Sequence, residues 1–226
     1  METTMTLLDA ISCRHSVRHY DERPIAPAAV QTLQQAIDTC NSEGDLHIQL
    51  VLDEPKAFKS WLVHYGAFSG VRNYIALIGR KADDLSERVG YYGERLVLLA
   101  QQLGLNTCWV ALTYSKRMMK TLIDEGEKCV CVISLGYGTT QGHSHRIKRY
   151  DQVTDAGDDA PQWFKRGVEA ALLAPTAINQ QQFKFSLLPP NKVKAKAKLG
   201  FYSSVDLGIV KLHFEIGAGR DNFVWA

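Results

Sequence analysis

The chain has little of what marks a secreted, membrane-bound or nucleic-acid-binding protein. Its 226 residues carry a formal net charge of only +2. It therefore lacks the basic excess that general nucleic-acid binders use, and any anion site must come from local clustering of charge. No window approaches about 18 uninterrupted apolar residues, so no membrane span is expected. The opening segment METTMTLLDAISCRH lacks the long apolar core of a signal peptide. The cysteines are Cys13, Cys40, Cys108, Cys129 and Cys131, an odd number with no Cys-x-x-Cys pair. Four zinc ligands at recognisable spacing are absent, so no metal is expected. These cysteines read as reduced structural thiols, with the cytoplasm as the expected setting. Strict alternation in Cys129-Val-Cys131 would put both thiols on one face of a strand. His143-Ser-His145 reads as a solvated loop.

What remains is an ordinary globular composition, 46% apolar and 22% charged. Thr6 to Ile11 predicts a short helix. The chain then runs extended through Arg14-His-Ser-Val-Arg18-His-Tyr20. Pro27 sits where a helix can start, and Val30, Leu33 and Ile37 continue it at helical spacing. Leu46 to Leu52 alternates as a strand, Lys56 to His64 predicts a helix, Gly66 to Gly70 a loop, and Tyr74 to Ile78 a buried strand. Asp84 to Leu103 is the longest helical stretch, with apolar positions around most of its surface. Thr107 to Leu112 and Lys128 to Leu135 predict strands, Ser115 caps a helix to about Ile123, and Gly136 to Gly142 is a turn-rich loop before the basic run Arg146-Ile-Lys148-Arg149. Asp151 to Asp159 reads as a linker. Beyond it come a helix (Pro161–Leu173), a strand (Phe183–Leu188), a helix (Val205–Gly217) and a short strand (Asn222–Trp225). Interspersed helices and strands with hairpin-poor spacing predict an α+β layered fold. The order helix, strand, helix, strand recurs in the later half, which is shorter. This suggests a degenerate internal duplication, with parts at 1–155 and 156–226.

Four segments carry chemistry. In extended chain, Arg14, Ser16 and Arg18 share one face. Two guanidinium groups and a hydroxyl suit an oxyanion such as phosphate, although an exposed basic strand has the same pattern. The turn Pro175-Thr176-Ala177-Ile178-Asn179-Gln180-Gln181 gathers donors and acceptors that could pair with a flavin pyrimidine edge. The third is Leu103-Gly-Leu-Asn-Thr-Cys-Trp-Val110-Ala111, and the fourth is Gly136-Tyr-Gly138 with Arg146, Lys148 and Arg149.

Together these segments resemble the nitroreductase family of flavoenzymes. The R-x-S-x-R start is similar to the family's N-terminal flavin-binding segment. APTAINQQQF resembles its A-P-S-x-x-N-x-Q-P-W motif, LGLNTCWVA its L-G-L-G-T-C-W segment, and ISLGYG with RIKR its G-Y-P loop and closing basic pair. Thr176 stands for the usual Ser, and Gln182 and Phe183 for Pro and Trp. The early position of the A-P-S-x-x-N motif here reads Ile37-Asp-Thr-Cys-Asn41-Ser, and the motif appears in the second half instead.

The resemblance implies a nitroreductase-like fold of antiparallel-rich mixed sheets packed with helices. It also implies FMN as cofactor, NADH or NADPH as electron donor, a small-molecule acceptor and ping-pong kinetics. Ordinary members are homodimers whose FMN contacts both subunits. Here each half keeps one complement, which implies one FMN site per chain in a pseudo-dimeric monomer or weak homodimer. By resemblance, Arg14, His15 and Ser16 hold the phosphate and ribityl tail, with Arg146 and Lys148 closing over it. Arg18 lies near the flavin N1 and C2 carbonyl, Pro175, Thr176, Ala177, Asn179 and Gln181 flank the ring, and backbone N–H groups near Val110 and Ala111 reach toward N5. No side chain is required as a catalytic nucleophile or base. A flavin-binding or sensing protein without turnover is the alternative of a different class. Flavin-consuming or dehalogenating enzymes of the same superfamily are the alternative within it.

Overall fold

The computed structural model describes residues 5–58 and 68–226. Thr6 caps α1 (Leu7–Cys13) in a reciprocal capping box with Asp9. Pro27 opens α2 (Pro27–Gly44), whose Leu33, Ile37 and Cys40 face the core. The strands β1 (Gln49–Val51), β2 (Asn73–Arg80), β3 (Asn106–Val110) and β4 (Glu127–Gly136) form an antiparallel sheet in the order β1-β2-β4-β3. α3 (Leu85–Gln102) links β2 to β3, and α4 (Lys116–Met119) is a single turn after Ser115. The helix expected over Lys56–His64 is a 3-10 turn at Pro55–Phe58; its remainder, like the start of the Gly66–Gly70 loop, lies outside the described residues.

The stretch read as a linker is built into the fold. It holds α5 (Tyr150–Val153), Val153 is fully buried, and Thr154 bridges to Phe185. Next come α6 (Gln162–Leu172), β5 (Phe183–Leu188), β6 (Lys192–Ala197), α7 (Ser203–Ala218) and β7 (Val224–Trp225). β5 and β6 pair as an antiparallel hairpin, and β7 joins β6 in parallel. No strand is expected over 192–197, because its alternation is Lys-Val-Lys-Ala-Lys-Ala. Only Val193 among those residues is fully buried, and lysines occupy the other face.

One apolar core runs through both parts of the chain, joining Leu33, Leu96, Ile133, Phe164, Phe185 and Phe214. α7 lies between α3 and α6. A Cβ on Gly90 would sit 2.0 Å from the Val205 carbonyl oxygen, and one on Gly208 would sit 2.0 Å from that of Glu87. Only glycine permits this backbone approach. It brings the first turn of α7 over the sheet beside β3 and β4.

Alternation fails at Cys129-Val-Cys131. The register slips between Leu77 and Ile78, which pair with Cys131 and Cys129. This β-bulge leaves Val130 unpaired and reverses the facing of the strand beyond it. Cys131 joins the main core, whereas Cys129 packs against the smaller cluster around Tyr74 and Val132. All five cysteines are free thiols.

Candidate active site

The arginine segment leaves α1 in extended form, with Arg14 N–H still donating to the Ala10 carbonyl. It then runs beside β3: Ser16 bridges Thr107, and Val17 N–H donates to the Thr107 carbonyl at 3.0 Å. Buried Val17 and Tyr20 anchor it, and the Tyr20 hydroxyl donates to the Val17 carbonyl at 2.6 Å.

The opposite wall is the turn after α6. Ile178, Asn179 and Gln181 all adopt positive φ, at 47°, 55° and 47°. For a β-branched residue such as Ile178 this is strained, and such backbone persists only where its surroundings enforce it. They do so from two sides. On one side Asp206, in the first turn of α7, accepts from Ala177 N–H at 2.9 Å and from the Gln180 amide at 2.8 Å. On the other, the Lys148 ammonium donates to the Gln180 and Gln181 carbonyls at 2.8 and 2.9 Å. Inside the turn, Gln181 N–H donates to the Thr176 hydroxyl.

Two cavities meet between these walls. The smaller is lined by Arg18, Trp109, Val110, Ala111, Cys131, Pro175, Ala177, Tyr202 and Asp206, among others. The larger is lined by Arg14, His15, Thr140, His143, His145 and Asn179, among others. Ser16, Arg18, Pro175, Thr176 and Ile178 border both. The expected arginine segment, strand end and 175–179 turn are thus brought together.

Three expected residues are placed elsewhere. Lys148 lines neither cavity, because its ammonium is committed to the turn. Gln181 is 2% exposed and spent on a latch: its amide donates to the Arg146 carbonyl and Asn179 Oδ1, and its oxygen accepts from Lys148 N–H. Neither group is left to meet a phosphate or a flavin edge. Arg146 contributes its carbonyl to Gln181 and Asn179, and its exposed side chain is outside both cavities. Asn179 borders the larger cavity while its amide donates to Arg146.

Other residues were not assigned to the site by sequence. His143 and His145, read as a solvated loop, line the larger cavity. Tyr202 and Asp206 wall the smaller one. Burial pushes the Asp206 carboxyl up to about 6, against the lowering effect of its bonds from Gln180 and Ala177.

Glu94 and His213, both fully buried, sit behind Arg14. Glu94 accepts from Trp109 Nε1 and pairs with His213 Nε2, each at 2.9 Å. An acid and a histidine amid the apolar positions of two buried helices were the available signal.

Arg14 is 3% exposed. Its Nε lies 3.8 Å from Glu94 Oε1 and, among the described residues, is a buried nitrogen without a hydrogen-bond partner. Burial pulls the guanidinium pKa down, although Glu94 opposes this. A buried cation whose Nε lacks a hydrogen bond is costly, and Glu94 at 3.8 Å offsets that cost only in part. Elsewhere His47, Asp124 and Glu127 come within metal-ligand reach. There His47 Nδ1 pairs with Glu127 at 2.9 Å, and Gln49 donates to Nε2 at 3.0 Å, so both ring nitrogens of His47 already have partners.

The family model described as putative TM nitroreductase matches residues 6–218. The chain belongs to this nitroreductase family. Its fold is that of solved relatives. A protein from Thermotoga maritima MSB8 described as a putative nitroreductase is 22% identical, with a TM-score of 0.69 over 98% of this chain and 87% of the other. One from Bacteroides thetaiotaomicron described as a putative NADH dehydrogenase/NAD(P)H nitroreductase is 22% identical, with a TM-score of 0.53 over 65% and 95%. One from Desulfovibrio desulfuricans described as a putative nitroreductase in complex with FMN is 18% identical, with a TM-score of 0.54 over 70% and 100%. Among curated proteins, none matches the chain. No helix among the described residues of this nitroreductase-family chain is long and apolar enough to cross a membrane.

Proposed function

We propose that the chain is an FMN-dependent oxidoreductase that takes electrons from NADH or NADPH and gives them to nitroaromatic, quinone or similar acceptors. The observation that carries this reading is Arg14, whose buried Nε has no hydrogen-bond partner among the described residues, at the wall of a cavity that adjoins a second one lined by Trp109, Val110, Ala111 and Pro175. The donor set fits a phosphomonoester at one end, where Arg14, His15 and Ser16 gather. It fits a planar heterocycle at the other, between Val110–Ala111 and Pro175–Ala177. FMN, when bound, supplies the electron chemistry.

In this reading Arg14 and Ser16 would hold the phosphate, and His15 would flank it. Arg18 is exposed, borders both cavities and would meet the ring edge, where positive charge favours the anionic reduced form. Ile178 and Tyr202 would keep bulk water from the apolar wall. Donor and acceptor would meet the same open face of the ring in turn, so ping-pong kinetics are expected. One chain brings both walls, which supports one FMN per chain, a monomer or weak homodimer, and a duplicated origin. The close approach of α3 and α7 at Gly90 and Gly208 also supports that origin. Five free thiols fit the cytoplasm.

The deciding experiment is an absorption spectrum of the purified protein. Flavin bands at one equivalent per chain, bleached by NADH or NADPH and restored by a quinone, are expected. Two equivalents per chain would end the single-site reading. Bands that no nicotinamide donor bleaches would end the enzymatic one.

A further inference from the structure

The larger cavity has basic groups beyond the arginine segment. The loop after β4 brings His143 and His145 to it. His145 Nε2 lies 3.1 Å from the Leu172 carbonyl oxygen, which can only accept, so Nε2 carries the hydrogen. In the neutral ring, Nδ1 is therefore a bare lone pair, and it has no hydrogen bond among the described residues. A lone pair repels an anion, whereas a protonated Nδ1 donates to it.

We propose that His145 is the second cationic arm of this cavity, taking up a proton at Nδ1 when a phosphomonoester binds and supplying the charge that Lys148 and Arg146 do not bring there. This rests on the FMN reading above and adds the control of that site by pH. The groups around His145 are Arg14 at the end of α1, His15 next to it, His143 on the same loop and His213 of α7, with Glu94 of α3 behind Arg14. Burial first, then Arg14, holds His15 below the ordinary histidine range. Burial, reinforced by Arg14, does the same for His145 against the raising effect of the Leu172 bond. Burial and Arg14 therefore bias both rings toward the neutral form, and an entering dianion reverses the local field. Binding then consumes a proton from solvent, and affinity must weaken as pH rises, by up to about ten-fold per pH unit for one proton.

The test is titration of the apoprotein with FMN and, in parallel, riboflavin, followed by quenching of flavin fluorescence from about pH 6.5 to about pH 8.5. Over this range the FMN phosphate stays mostly dianionic, since its second ionisation lies near about 6. The FMN dissociation constant is expected to rise about ten-fold or more across the range. Riboflavin, lacking the phosphate, should change little. His145→Gln should weaken FMN at the low end and flatten the slope, and His145→Lys should flatten it while keeping tight binding at the high end. An unchanged slope in His145→Gln, or an equal slope for riboflavin, overturns the proposal. A folded wild-type protein that binds neither flavin at any pH overturns the FMN reading instead.

Discussion

The two basic segments of this chain, 14–18 and 146–149, carry two and three fixed positive charges and end in opposite states. Arg14 is buried, its Nε has no hydrogen-bond partner among the described residues, and Arg18 is exposed on the border of both cavities. Lys148 donates to two carbonyls, and Arg149 pairs with Asp151 at 2.9 Å. The first segment runs beside a strand whose hydrogen bonds fix the backbone and leave the arginine heads free. The second meets a strained turn whose carbonyls need donors, and it satisfies them. The lesson is that a cation counts toward a ligand site by its unmet hydrogen bonds and not by its presence in a motif.

That contrast can be broken most decisively at Arg14 and Arg18. Replacing both with Ala should weaken FMN by about a hundred-fold or more, since each charge-assisted bond is worth about 1.5–3 kcal/mol. The purified protein should then be colourless in its absorption spectrum, and retention of the yellow colour would remove the site assignment. Gly208→Val tests the scaffold that brings α7 to the site. Its Cβ would meet the Glu87 carbonyl at 2.0 Å. Overpacking of that kind costs about 1–3 kcal/mol or more, and thermal unfolding should show a drop of about 5 °C or more.

Lys148→Met sharpens the comparison itself. A latch affects FMN and riboflavin binding alike, by about ten-fold, while a phosphate ligand affects FMN alone. Fluorescence titration with both flavins therefore tells the two roles apart. Asp206 predicts a pH effect on stability. Its folded value, about 6, is above the ordinary 3.8. The folded state thus retains a proton that the unfolded chain releases. The associated stability is present below the ordinary value and is lost as pH rises through the folded one. Melting temperatures across this window should fall more steeply in the wild type than in Asp206→Asn. Arg146→Ala should have the smallest effect, within about three-fold on FMN affinity, because its exposed side chain is placed outside both cavities.

Most elements were legible because their signals are local. The stretch Thr6 to Ile11 announces α1, Pro27 announces α2, and the apolar run 129–133 in β4 needs no partner to be recognised. β6 was not legible. Its lysines are tolerated only because the hairpin leaves one face of that strand in solvent. Nor was the reversed facing of Cys129 and Cys131, which depends on a register slip against β2. At the site, Arg14, Ser16, Arg18, Val110 and the 175–177 turn could be chosen from motifs. Glu94, His145, Asp206 and Tyr202 could not, since each matters through a neighbour distant in sequence.

Local patterning was enough to specify the helices, most strands, the α+β class and the segments able to carry an anion and a ring, because capping, periodicity and donor chemistry act over a few residues. The closure of those segments into one cleft belongs to the tertiary structure. It rests on the glycine-mediated approach of α3 and α7 and on the two-sided grip of Asp206 and Lys148 on the 175–182 turn. Which cations keep their charge for a ligand was decided there too, because that depends on which carbonyls the fold leaves without donors.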